Sequence, residues 1–283
     1  MRAITISRFG PPDVLTEVEL PDPRPAAGQV AIDVTHAAVG MIDVFFRRGD
    51  FSGDPQFPTP PFVPGIEVAG TIRELGEGIT DFRVGETVVT LSLMTLGGYA
   101  TVALADARLT VSLTSSNIDP AQAVAMVPNA TTAYLALTTV AHLRAGETVL
   151  VHGATGGLAS VFPAVARALG AARILGTVGS SSKAAVARSM GYDEVLTHDR
   201  FPDALSGQKF DLIVDPVGGP ARGASLDVLA PLGRMLLAGH ASTTPEEPMR
   251  GMTSGAGASV CSVSALAHSS KPIRCLPVQQ PQP

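Results

Sequence analysis

The chain of 283 residues is 45% apolar, 16% charged and 5% aromatic, and its 20 basic and 25 acidic residues leave a net charge of -5. That composition excludes a disordered chain, and without a basic cluster it disfavours nucleic-acid and anionic-membrane partners. Two cysteines, Cys261 and Cys275, exclude a secreted disulfide scaffold and suit a reducing, cytoplasmic location.

At roughly 150 residues per domain, the length predicts about two domains. Residues 1–8 alternate like a strand and lack the apolar core of a signal peptide. Short β-rich runs follow at 30–35, 68–73, 86–90 and 99–103, separated by Gly, Pro and Asp. Residues 1–118 are therefore expected to form a β-rich domain, a compact sheet or barrel. The five prolines between Asp50 and Pro64 predict an irregular surface loop.

At Asp119 the pattern changes. Asp119 suits a helix N-cap and Pro120 the first helical position, with Pro128 expected to end that helix and a second to run over about 130–143. A membrane span needs about 20 uninterrupted apolar residues, so this interrupted stretch predicts two buried helices and no membrane partner. Strands at 148–152, 174–178, 194–197, 210–214 and 234–238 then alternate with helices at 158–169, 182–190 and 221–229. Such alternation predicts an α/β fold, a doubly wound parallel sheet over 119–245. Residues 246–283 break the pattern. From Arg250 onward they hold no Asp or Glu, six Ser and four Pro. A disordered tail is expected there.

The strand at 148–152 runs into Gly153-Ala-Thr-Gly-Gly-Leu-Ala159, where a helix begins at once. Glycine lets backbone approach a pyrophosphate, and a helix N-terminus supplies free N–H groups and a favourable dipole. A tight turn also uses glycine for steric reasons alone. Its place at the head of a β/α series favours dinucleotide binding.

Five segments together resemble the zinc-independent quinone oxidoreductases of the medium-chain dehydrogenase/reductase superfamily. They are Ala38-Val-Gly-Met-Ile-Asp-Val-Phe-Phe-Arg-Arg-Gly49; Pro64-Gly-Ile-Glu-Val-Ala-Gly70 with Gly76, Gly78 and Gly85; Thr131-Thr-Ala-Tyr-Leu-Ala-Leu137; the glycine turn; and Asp215-Pro-Val-Gly-Gly219 with Leu229-Ala-Pro-Leu-Gly-Arg234. The resemblance covers residues 1 to about 245. It implies a GroES-like domain, a Rossmann-type domain, an active site in the cleft between them, and hydride transfer to a small-molecule quinone or α,β-unsaturated carbonyl. A homodimer is a further implication.

Zinc-dependent relatives place a Cys in the early loop and a His before the Glu of the second signature. Here no Cys precedes residue 261 and Ile66 takes the His position, so no metal is expected and Glu67 reads as structural. At the end of the second strand of the doubly wound sheet, Gly176-Thr-Val-Gly-Ser-Ser-Ser-Lys183 lacks the acid that binds ribose hydroxyls in NAD enzymes. Hydroxyls and a lysine would hold a 2′-phosphate, which points to NADPH. From the resemblance, Gly156, Gly157, Leu158, Ala159, Ser180, Lys183, His198 and Gly239 are cofactor-binding candidates. Thr132 would contact the nicotinamide carboxamide and, with Asp43, is a catalytic candidate. Simpler roles stand beside these: Ser182 as a helix cap with Lys183 solvated, His198 as a surface residue, Thr132 bonded to its own helix, and Asp43 as a turn or cap residue. Gly40, Phe45 and Phe51 stand where the family often has Asn or Tyr. The tail replaces a return to the first domain. These departures leave a second reading, a truncated NADP-binding member that is weakly active or inactive.

Overall fold

Alternating burial along the early strands builds an antiparallel sheet. The computed structural model describes residues 1–92, 95–242, 244, 259–262 and 276–277. Strands β1 (Arg2–Ile6) and β2 (Leu15–Glu19) pair with each other. After them come β3 (Gln29–Ala37), helix α1 (Met41–Arg48), β4 (Glu67–Leu75), β5 (Thr87–Leu91), β6 (Val102–Asp106) and β7 (Thr110–Ser112). These form a five-stranded antiparallel sheet of order β6-β3-β4-β5-β7. Val30, Ile32, Val68, Ile72, Val88, Ala103 and Ala105 make its core. The run expected at 99–103 begins later: Tyr99 accepts from the Ile4 N–H, Ala100 bridges to Ala3, and the buried alternation starts at Val102.

Helix α2 (Pro120–Leu135) corrects the expected break at Pro128, which sits inside one continuous helix that a π-helical turn, Ala136–Val140, extends. An internal proline costs about 3 kcal/mol. Packing offsets it: Ala123 and Val124 join one apolar cluster, and Ala133, Ala136, Leu137 and Val140 another. Pro120–Val140 is therefore long and apolar enough, by length and composition, to cross a bilayer, but these six residues are buried in protein. The chain divides into two compact units, Met1–Pro128 and Asn129–Pro283.

In the second unit β8 (Thr148–Val151), α3 (Gly157–Ala168), β9 (Arg173–Val178), α4 (Ala184–Ser189), β10 (Glu194–Thr197), β11 (Phe210–Asp215), α5 (Pro220–Ser225) and β12 (Leu229–Leu237) alternate as expected. Two helices are shorter than expected: a 3-10 turn over Ser181–Lys183 precedes α4, and another over Leu226–Val228 follows α5 because Leu229 already pairs with Phe210. The sheet order is β10-β9-β8-β11-β12-β13-β14, parallel through β13 (Ser259–Ser262) and antiparallel at β14 (Leu276–Pro277). Those last two strands correct the expectation of disorder for their own residues, since β12 offers a backbone ladder from Arg234 to Leu237 that β13 fills. The rest of the expected tail lies outside the described residues. Period-two alternation covers both faces: Val149, Val151, Ile174, Leu212 and Val214 pack on one side, and Leu150, Leu175, Ile213 and Met235 on the other.

A Cβ at Gly70, in β4, would lie 2.0 Å from the Asp33 carbonyl oxygen of the neighbouring strand. Backbone cannot yield there as a flexible side chain does. Gly70→Ala is expected to destabilise the chain by about 3 kcal/mol, read as a lower urea midpoint; an unchanged midpoint would contradict that packing.

Candidate functional site

In the second unit, the direction of winding reverses between β8 and β11, the place where open parallel sheets bind ligands. The glycine turn lies there. A Cβ at Gly153, whose φ is +65°, would meet Val217 Cγ2 at 2.8 Å, so the turn needs glycine to lie against the loop after β11. Beyond it, Gly156 caps α3 without a side chain, and a Cβ on Gly157 would meet only the Asn129 amide at 4.0 Å. Gly156 and Gly157 are exposed. The first N–H groups of α3, at Gly157, Leu158 and Ala159, have no acceptor within the helix by helix geometry. Open space above an exposed helix N-terminus fits a pyrophosphate.

Beside this turn, β9 ends in Val178 and runs into Ser180, whose hydroxyl is 2.8 Å from that of Ser182. Ser180 and Lys183 are exposed, and Lys183 forms no ion pair among the described residues. His198, after β10, is half-buried with its Nε2 enclosed and unpartnered. Burial holds its pKa down; Asp199 and Asp215 oppose this, and the Lys183 charge adds to it. Gly239 follows β12, where a Cβ would meet the Pro216 carbonyl at 2.9 Å. Thus the expected cofactor residues from Gly156 to Gly239 gather at the carboxyl edge of one sheet, with half-buried Thr132 on α2 in the same unit. Asp43 belongs to the first unit.

Two buried polar networks brace this edge, and the sequence reading missed both. His152, fully buried, lies 2.9 Å from Thr177 Oγ1 and 2.8 Å from Ser225 Oγ. Ser225 gives its one hydroxyl proton to the Ala221 carbonyl, so His152 Nε2–H donates to Ser225 and Nδ1 accepts from Thr177. Burial lowers its pKa and keeps the ring neutral. Asp215 accepts from the Val217 and Gly218 N–H groups at 2.9 and 2.8 Å and from Arg222 Nε at 2.6 Å. Arg222 also donates to the Gly239 carbonyl at 2.5 Å.

In the first unit, Asp43 caps its own helix by accepting the Gly40 N–H at 2.8 Å through Oδ2. It is 6% exposed, and its Oδ1 is buried without a partner. Ala38 N–H bonds the Glu67 carbonyl at 3.0 Å, and the Tyr99 hydroxyl donates to the Ala38 carbonyl at 3.3 Å. Gly65, at φ +94°, lies so close to Tyr99 that a Cβ would reach its ring at 2.5 Å. These contacts bring the Asp43, Glu67 and Tyr99 side chains together. Burial raises the pKa of all three; for Glu67, burial and then the Asp43 charge push it up to about 7. Phe45 and Phe51 pack with Phe46 and Phe57, Phe51 stacking on Phe57 at 4.6 Å, and so anchor the proline-rich loop. Ile66, in the position of a zinc ligand, is apolar and buried, and no group of three metal donors gathers among the described residues. A zinc ion does not fit these side chains.

Two family models match: alcohol dehydrogenase GroES-like domain over residues 26–115, and zinc-binding dehydrogenase over 157–269. The second runs past residue 245, further than the sequence motifs reached. A quinone oxidoreductase from Lama guanicoe is 34% identical over 260 residues, 89% of this chain and 77% of its own. A 2-haloacrylate reductase from a Burkholderia species is 31% identical over 247 residues, 85% and 73% of the two chains. The Escherichia coli quinone oxidoreductase complexed with NADPH superposes with a TM-score of 0.75 at 28% identity, covering 87% of this chain and 75% of that one.

Removing one partner of a buried ion pair leaves the other charge stranded. Arg222→Met is expected to cost about 3–5 kcal/mol in chemical denaturation, and a loss under about 1 kcal/mol would show Asp215 to be satisfied without it. The folded chain holds the Glu67 proton more tightly than the unfolded one does. Its contribution to stability is thus full below pH 4.5 and is lost as pH rises toward about 7. Glu67→Gln should therefore raise the melting temperature at pH 8 and change it little at pH 5; equal shifts at both would contradict the burial of that carboxyl.

Proposed function

We propose that this chain, which belongs to the quinone oxidoreductase family of the medium-chain dehydrogenases and reductases, is a zinc-free oxidoreductase that uses NADPH to reduce a small-molecule quinone or α,β-unsaturated carbonyl. When bound, NADPH supplies the hydride; the protein binds, orients and excludes water. Gly156, Gly157, Leu158 and Ala159 receive the pyrophosphate at the start of α3. Ser180, Lys183 and His198 take the 2′-phosphate, Thr132 meets the nicotinamide carboxamide, and Gly239 also contacts the cofactor. Asp43 acts from the first domain, whose boundary we set at residue 118, with the cofactor domain over 119–245. The enzyme works in the cytoplasm, without nucleic acid or membrane, and as a possible homodimer.

One observation carries the cofactor assignment. The end of β9 has serine hydroxyls and a lysine that forms no ion pair among the described residues, where an acid would repel a 2′-phosphate, and it flanks an open helix N-terminus. The NADPH-bound relative supports the same reading. A second reading, an NADP-binding member without turnover, draws support from Gly40, Phe45 and Phe51. Here they serve a helix cap and an aromatic cluster in place of polar groups that would position a carbonyl.

NADPH is expected to bind at least about tenfold tighter than NADH, a difference of roughly 1.4 kcal/mol, and Lys183→Ala to erase most of that gap in fluorescence titration. Equal dissociation constants in the parent chain would overturn the cofactor assignment. NADPH oxidation across a panel of quinones and enones separates the two readings. Elemental analysis should find well under one zinc per chain.

A further inference from the structure

Helix α3 carries a proline, Pro163, just past the turn that bears its free N–H groups. In an α-helix the carbonyl of residue 159 accepts from the N–H of residue 163, and proline has none. Its ring also crowds that carbonyl, which is how helices come to kink. The Ala159 carbonyl is nonetheless answered. The Tyr192 hydroxyl, from the loop between α4 and β10, donates to it at 2.7 Å. Tyr192 is 3% exposed and Ala159 1%, so bulk water does not reach this bond. The tyrosine ring passes through a gap that a glycine leaves: a Cβ at Gly176 in β9 would lie 2.8 Å from Tyr192 Cδ1 and 2.7 Å from the Ala154 Cβ of the glycine turn. The next residue, Asp193, fixes the tyrosine's backbone. Its N–H donates to the Ile174 carbonyl, and its carboxylate accepts from the Ile174 N–H at 2.7 Å and from Arg167 of α3 at 2.6 Å.

We infer that Tyr192 is a positioning residue for the cofactor: its hydroxyl stands in for the N–H that Pro163 lacks and so holds the start of α3 in line with the pyrophosphate. The inference rests on the dinucleotide reading above. The bond ends on Ala159, one of the three residues whose N–H groups have no acceptor within the helix, so the tyrosine acts from the buried side on the turn that receives the phosphates. Without the hydroxyl, a buried carbonyl has no donor, a state that costs more than the bond itself contributes. The first turn then tips away from Pro163 until water reaches that oxygen, and the N–H groups of Gly157, Leu158 and Ala159 turn with it. NADPH and NADH share the pyrophosphate and differ only in the 2′-phosphate assigned to Ser180, Lys183 and His198. Loss of the tyrosine hydroxyl therefore weakens both nucleotides by the same factor.

The test is fluorescence titration of the full chain with NADPH and with NADH, with thermal melting alongside to show that each variant is folded at the titration temperature. Tyr192→Phe is expected to weaken both nucleotides about tenfold and to leave their ratio as in the wild type. Pro163→Ala restores the backbone donor, so in that background Tyr192→Phe should cost less than about twofold. This rescue separates positioning from general loosening, because a tyrosine needed only for packing would be missed equally in both backgrounds. Wild-type affinity for both nucleotides in Tyr192→Phe would overturn the inference alone. So would a loss confined to NADPH, or one that Pro163→Ala does not rescue. If Tyr192→Phe fails to fold by itself, the double variant decides: near-wild-type affinity supports the role and weak affinity overturns it. Failure of the wild-type chain to bind either nucleotide would overturn the dinucleotide reading and this inference with it.

Discussion

Asp215 and Arg222 can sit in the interior only because nearly every polar atom they carry is answered, and the loops at the carboxyl edge of the parallel sheet hang on that partnering. The carboxylate gathers the backbone of residues 217 and 218, while the guanidinium ties α5 to Gly239 beyond β12. Four separate pieces of chain are thereby fixed around one charge pair. Such pairs contribute little net stability compared with apolar packing, yet losing half of one is costly. The pair therefore sets geometry more than it adds stability. His152 does the same for the other side of the switch point, joining β8, β9 and α5 through a neutral ring.

A different economy governs the first unit. Its surface acids pair with arginines, but Asp43 and Glu67 form no ion pair among the described residues, and burial shifts their protonation instead. Gly65 makes this possible: its left-handed backbone lets the chain pass against Tyr99, and Tyr99 holds the Ala38 carbonyl from which α1 is launched. The aromatic cluster of Phe45, Phe46, Phe51 and Phe57 fixes the other side of α1. One helix of eight residues is thus held between an apolar anchor and an acidic cap.

Much of this was legible in the residues. Strand and helix periods marked the parallel sheet, because buried strands and amphipathic helices differ in repeat, and the glycine turn announced itself by composition. Pro128 misled because a local rule about one missing N–H met a helix with buried residues on either side of it, and packing won. Tyr99 misled by a few residues because a β-rich run does not say which neighbour it will pair with. The reading of Glu67 as structural did not anticipate that Asp43 lies near it. What the sequence lacks is the distance to Asp43, set by the bond between Ala38 and Glu67. His152 and Arg222 were silent for the same reason: their partners lie 73 and 7 residues away, and only the folded sheet brings those side chains together.

The outermost strand of the parallel sheet has a bearing on self-association. An exposed sheet edge is a template on which another chain can add itself, strand upon strand. Here the sheet passes from the nine residues of β12 to the four of β13 and then to β14, a two-residue strand that includes Pro277, which has no N–H to donate. A template that short, lacking one of its donors, gives an incoming strand almost nothing to zip onto. At the opposite edge, the four residues of β10 begin with Glu194, whose carboxylate is held by Arg173 on the neighbouring strand. Among the described residues, both margins of the sheet are poor seeds for fibrous growth.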